Sequence, residues 1–306
     1  MINKSLLKTS LFTSLALIAF AANSVLCRLA LGSGSIDASS FTIIRLLAGA
    51  IALFIILAIK DSNKANNKAS NKGVSSKGSW GASFALFLYA ITFSYAYLSI
   101  DTGTGALILF GSVQITMILL SLISGTRLQI NEWLGVIIAF MGFIYLILPS
   151  ITTPSLNGFI LMAVSGISWG IYSLLGRSSK NSLTDTAYNF LRTMPFVALL
   201  AVVTIENISY SFEGVVLALL SGAITSGVGY TIWYIALGGL SSTQSAVIQL
   251  SVPVIAAMGG VIFVSEIITF RLITSAAIVF SGILMVVLGK KLFTPNKLKK
   301  CNKETT

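Results

Sequence analysis

The sequence predicts an all-α membrane protein: ten transmembrane helices forming two five-helix repeats of inverted topology. Three observations carry that prediction. The 306-residue chain is 55% hydrophobic and only 9% charged, with mean hydropathy +0.92, whereas a soluble domain carries about 25% charged residues. Its apolar residues gather into runs long enough to cross a hydrocarbon core of roughly 30 Å at about 1.5 Å per residue. Several of these runs then recur in the same order in the second half.

Taken in order, the runs lie at 11–31, 39–59, 80–100, 102–124, 132–148, 158–177, 183–205, 214–237, 242–264 and 272–289. The first is preceded by Lys4 and Lys8 and contains Ala19-Phe20-Ala21, a pattern that also fits a cleaved secretory signal. The apolar character continues through Leu31, so an uncleaved first helix is the expectation. The third and fourth runs meet around Asp101-Thr102-Gly103 with almost no loop. Such short connections make neighbouring helices antiparallel hairpins. Residues 61–79 are Lys, Asn, Ser and Gly without apolar periodicity, a solvated loop. The ninth run carries Pro253 near its middle, and a polar elbow at 265–271 leads into the tenth. The tenth ends at Gly289, just before Lys290 and Lys291 and the basic tail.

The repeat is visible without gaps over its longest block. Residues 106–142 set against 246–282 bring Ala106 to Ala246, Val113 to Pro253, Thr126 to Glu266 and Gly142 to Gly282. Earlier, 24–28 reads against 173–177 and 41–45 against 188–192. The halves are therefore 5–149 and 156–289, followed by a basic tail at 290–306. Five helices is an odd number, so the second half enters the bilayer upside down. Lysine and arginine set the orientation. With the N-terminus inside, the inner segments receive Lys4, Lys8, five lysines between 60 and 77, Arg127, Arg177, Lys180 and six lysines between 290 and 303. The outer loops receive Arg28 and Arg271. Both termini are expected in the cytoplasm, and the chain in the plasma (inner) membrane.

The closing stretch, 245–289, is a helix with Pro253-Val254, glycines at 259 and 260, a lone Glu266 at the elbow, and a second helix. It resembles the closing block of the EamA-type drug/metabolite transporters. That resemblance implies alternating access between two inverted repeats, with export or facilitated passage of amino acids, nucleotides, lipophilic metabolites or drugs. The related small multidrug exporters carry a glutamate in their first membrane helix, where this chain has Asn23-Ser24. Thr126 also departs from the elbow glutamate in the first half.

The candidate site residues are the polar groups at depth. Arg45 and Arg192 each lie about seven residues into a helix, where a lipid-facing charge costs at least ~2.5 kcal/mol. They either line a cavity and attract anionic or zwitterionic groups, or turn their heads to the interface. Asn23 and Tyr172 are repeat equivalents, and Gln114 and Gln249 sit mid-helix. Tyr95 and Tyr234 complete the set. These residues face a wet cavity or bond between helices. Pro195 and Pro253 are expected kinks, Glu266 an elbow cap or a partner for Arg271, and Gly166 with Gly170 a tight packing pair.

Other function classes find little support. There is no histidine and no acid pair within a span, which weighs against a membrane-embedded enzyme and a histidine-ligated metal site. No cofactor is called for. The net charge of +11 comes from loops and tails, so the partner is the lipid bilayer and not nucleic acid. Cys27 and Cys301 make no disulfide framework. A non-transport scaffold is the remaining alternative, and homodimer formation stays open.

Overall fold

The computed structural model describes residues 4–66, 77–123, 130–148, 154–176, 179, 181–237, 240 and 248–292. Thr126, Arg127, Arg177, the centre of the first long loop and the tail beyond Leu292 lie outside them. The helices are α1 (Lys4–Gly32), α2 (Ala38–Asn66), α3 (Trp80–Ala96), α4 (Thr102–Ile123) and α5 (Ile130–Ile147) in the first half. The second half has α6 (Leu156–Gly176), α7 (Ser182–Arg192, resumed as Met194–Val203) and α8 (Phe212–Leu220, then Ser221–Val228 and Gly229–Leu237). It closes with α9 (Val252–Val264) and α10 (Phe270–Leu292). Six of these are long and apolar enough to cross a membrane, and the other four are shorter apolar helices. Large apolar side chains such as Ile18, Ile51, Ile55, Phe140 and Ile262 face outward, as a lipid-solvated bundle requires.

Three departures from the sequence expectation have local causes. Helix α2 runs on to Asn66, so the first residues of the polar loop are helical. Both Pro195 and Pro253 stand in the first turn of a helical segment. There the missing N–H would have had no intrahelical acceptor, which makes the first turn the favoured place for proline. Pro253 therefore opens α9 and is not in its middle. Helix α8 widens to a π-helix over Ser221–Val228. Its small residues let α2 come close: a Cβ on Gly222 would stand 2.2 Å from the Arg45 carbonyl oxygen.

The packing obeys the twofold relation between the halves. Helix α3 packs on α6 as α8 packs on α1, and α4 packs on α6 as α9 packs on α1. The pairs α5–α10, α4–α9 and α2–α7 each join a helix to its own repeat mate. Each of these major contacts crosses between the halves. The loop joints follow the same relation. Asp37, before α2, accepts from the backbone N–H groups of Ser40 (2.9 Å) and of Ser209 ahead of α8 (3.0 Å). Asp185, in the first turn of α7, accepts from the N–H of Gly78 ahead of α3 at 3.0 Å, and Asn189 accepts from that of Ser79 at 2.9 Å. Burial pushes the Asp37 carboxyl up, but the Ser40 hydroxyl and the N–H groups of Ser209, Ser40 and Ser39 together hold it below the ordinary aspartate value.

Candidate functional site

At the meeting of the halves, α1, α3, α4, α6 and α8 enclose a small cavity. It is lined by Phe20, Asn23, Ser24, Tyr89, Phe93, Leu109, Phe110, Trp169 and Tyr230. Its free volume of about 10 Å³ is room for roughly one water. The walls are aromatic. Phe20 and Trp169 are repeat equivalents at the offset that pairs Ser24 with Ser173, and their rings meet edge to face at 6.4 Å. Tyr89 on α3 and Tyr230 on the corresponding α8 flank Trp169 at 4.9 and 4.8 Å.

A polar network backs one wall. Arg45 on α2 is 1% exposed, and its guanidinium lies over the rings of Phe93 (4.9 Å) and Tyr89 (5.2 Å). Its Nη2 donates to the Tyr89 hydroxyl at 2.9 Å and its Nε to the Ser226 hydroxyl at 3.3 Å. Asn23 Nδ2 also donates to Tyr89, at 3.4 Å. Asn23 Oδ1 accepts from the hydroxyls of Ser221 (2.7 Å) and Thr225 (3.1 Å). The Ser221, Thr225 and Ser226 hydroxyls come from the π-segment, whose wider turn presents them on the face toward α1 and α2.

The other expected site residues disperse. Tyr172 is buried against Trp169, with ring centroids 5.4 Å apart, and Gln114 is buried on α4. Neither belongs to the cavity wall. Tyr95 shares a hydrogen bond of 2.7 Å with Ser39, toward the end of the bundle. Arg192 hydrogen-bonds the Lys77 carbonyl and lies 5.8 Å from the Trp80 ring, away from Arg45. Gln249 is half-buried ahead of α9, and the Tyr234 side chain is outside the described residues. Tyr89, Ser24 and the π-segment hydroxyls were not singled out from sequence. The repeat offset pairing Phe20 with Trp169 is the signal that could have located the wall.

Glu266 does both things an elbow carboxylate can do, with a different arginine from the one expected. Its two oxygens accept from the backbone N–H of Thr102 at 3.0 and 2.9 Å, capping the start of α4. Arg28 Nε donates to it at 3.1 Å, while Arg28 Nη2 pairs with Asp101 at 3.5 Å. Arg271 instead stacks 5.5 Å above the Tyr145 ring. Ser265, at φ 58°, makes the left-handed turn that carries the chain round the elbow, and Glu266 N–H bonds back to Gly260.

Residues 7–148 and again 156–288 match the EamA-like transporter family. The chain belongs to that family. It is a multi-pass membrane transporter. A protein of Pseudomonas aeruginosa described as uncharacterised is 43% identical over 91% of this chain and 94% of its own length. An uncharacterised transporter of Bacillus subtilis is 20% identical over 80% of this chain and 85% of its own. A "probable amino-acid metabolite efflux pump" of Salmonella typhimurium is 22% identical over 69% of this chain and 75% of its own. One crystal structure aligns over 92% of this chain and 99% of its own, with TM-score 0.60 and 16% identity, a likeness of fold alone.

Proposed function

We propose that this EamA transporter carries small organic metabolites of the amino-acid type, as an exporter or facilitator, by alternating access around the central aromatic cavity. The observation that carries the reading is the cavity wall itself. It is shared by both repeats and closed to about 10 Å³, so a solute can enter only when the halves part. The description of the Salmonella relative as a probable amino-acid metabolite efflux pump supports the solute class. The lysine distribution supports a plasma-membrane orientation with both termini cytoplasmic.

The described carboxylates with resolved partners, Asp37, Asp101, Asp185 and Glu266, serve caps and ion pairs near helix ends. Arginine stays charged throughout the cycle, so transport is driven by the solute gradient and, for a charged solute, the membrane potential. The test is flux in proteoliposomes against a panel of amino acids, nucleosides and lipophilic cations, with and without a pH gradient. Saturable flux of a panel member, unaltered by the pH gradient at clamped potential, is the expected result. Uphill accumulation driven by the pH gradient would overturn uniport, and no flux across the panel would overturn the solute classes named.

A further inference from the structure

We infer that the cavity binds its solute by a carboxylate, with the Tyr89 hydroxyl as the donor that touches it and Arg45 as the positioning residue behind that donor. The inference rests on the transport reading above and names the chemical feature of the solute.

A tyrosine oxygen can accept two hydrogen bonds and donate one. Tyr89 already accepts from Arg45 Nη2 and Asn23 Nδ2. Its own proton has the Tyr230 hydroxyl as its neighbour on the same wall, so the Tyr89–Tyr230 pair keeps one proton to offer to what enters between them. Asn23 is turned the same way. Its oxygen is held by Ser221 and Thr225, which leaves the second amide hydrogen as a donor on a residue that also lines the cavity. The Ser24 hydroxyl, on the same wall, is buried with the Tyr97 hydroxyl as its neighbour. The polar side of the cavity is thus rich in donors.

Charge points the same way. Arg45 Nη1 is buried and has no partner among the described residues. No described carboxylate pairs with Arg45; the acids Asp101 and Glu266 are engaged by Arg28. A buried guanidinium without a counter-ion is costly, and in a site of low dielectric its field acts strongly on whatever enters. An anion relieves that cost, a neutral group does not, and a cation adds to it. The aromatic rings of Phe20, Phe110 and Trp169 then receive the apolar body. The expected solute is a small acid with an aromatic or branched apolar body, its amino group optional.

The experiment uses the full-length protein in detergent and three probes of nearly one shape: phenylacetate, phenylacetamide and phenethylamine. Binding is read by quenching of tryptophan emission, since Trp169 adjoins Tyr89. Phenylacetate should bind at least tenfold more tightly than the other two. Tyr89→Phe keeps the ring and removes the donor, so it should erase that preference, with a larger loss of affinity for phenylacetate than for phenylacetamide. Arg45→Gln should also erase it, and Arg45→Lys, which keeps the charge, should restore part of it; a purely structural arginine would show no such rescue. Equal affinities, a preference for the amine, no response to any probe, or an unaltered preference in Tyr89→Phe would each overturn the carboxylate site. The transport reading stands or falls separately, on the solute-panel flux.

Discussion

At one end of the bundle Asp37 holds the segment entering α8, and at the other Asp185 holds the segment entering α3, each through a backbone N–H at 3.0 Å. The two joints are repeat mates, and helix α2 separates them by the width of the membrane. Beyond these joints the ends diverge. The Asp37 end adds Arg28, Asp101 and Glu266, which tie α1, the start of α4 and the α9–α10 elbow together. In the sequence alignment of the repeats, Ser241 and Thr126 stand opposite Asp101 and Glu266. Among the described residues, an ionic fastening of this kind is found at the Asp37 end. In the proposed alternating-access cycle, a fastening at that mouth favours the state in which it is shut.

The largest expected effect comes from Glu266→Gln. It leaves Arg28 partly buried without its main partner and takes one charge from the α4 cap. A loss of about 3 kcal/mol is expected for breaking such a pair, read by thermal unfolding of the purified protein. Cysteine placed at Thr104, buried beside this cluster, should also become more reactive to an impermeant maleimide in Glu266→Gln. Unchanged labelling would show that the cluster does not hold the mouth.

Thr126→Glu tests the comparison from the other side by offering the opposite mouth an acid. If the ionic fastening sets the resting state, fastening both mouths should slow flux of a panel solute several-fold. Asp37→Asn and Asp185→Asn should then cost similar amounts, about 1 kcal/mol each for a weakened cap; a large disparity would mean that the two joints are not equivalent.

Acid gives a graded version of the Asp37 test. Because its folded value lies below the ordinary one, its contribution is complete above the unfolded aspartate value of about 3.9 and is lost as pH falls through the lowered value. Unfolding temperature should therefore show no Asp37-dependent change between about pH 7 and 5. The smallest effect belongs to Asp101→Asn. Its side chain is 54% exposed, and an ion pair of that kind contributes under ~0.5 kcal/mol.

The sequence was informative about length and symmetry and poor about facing. Apolar runs, proline and glycine breaks and the gapless block at 106–142 give the ten helices and their duplication. In a lipid-solvated helix, though, the outward face is as apolar as the inward one. No stripe therefore tells that Arg45 points into the bundle while Arg192 stays near its edge. Tyr89 reads as one more aromatic in an apolar run. The run from Ser221 to Val228 reads as ordinary helix, because a π-segment depends on close packing by α2 more than on any residue type. Asn23 was legible, since an amide at that depth has to be satisfied somewhere.

The crossing of contacts between the halves has a consequence for the order of synthesis. Helix α1 packs chiefly on α8 and α9, α3 on α6, and α5 on α10. When the ribosome has delivered the first five helices, most of their eventual neighbours do not yet exist. The emerging half must wait in the bilayer as loosely associated helices, its glycine faces and the buried Arg45 lacking their final cover. Tertiary structure then closes almost at once as α6 to α10 arrive, and the last pair to form, α5 with α10, joins the middle of the chain to its final helix.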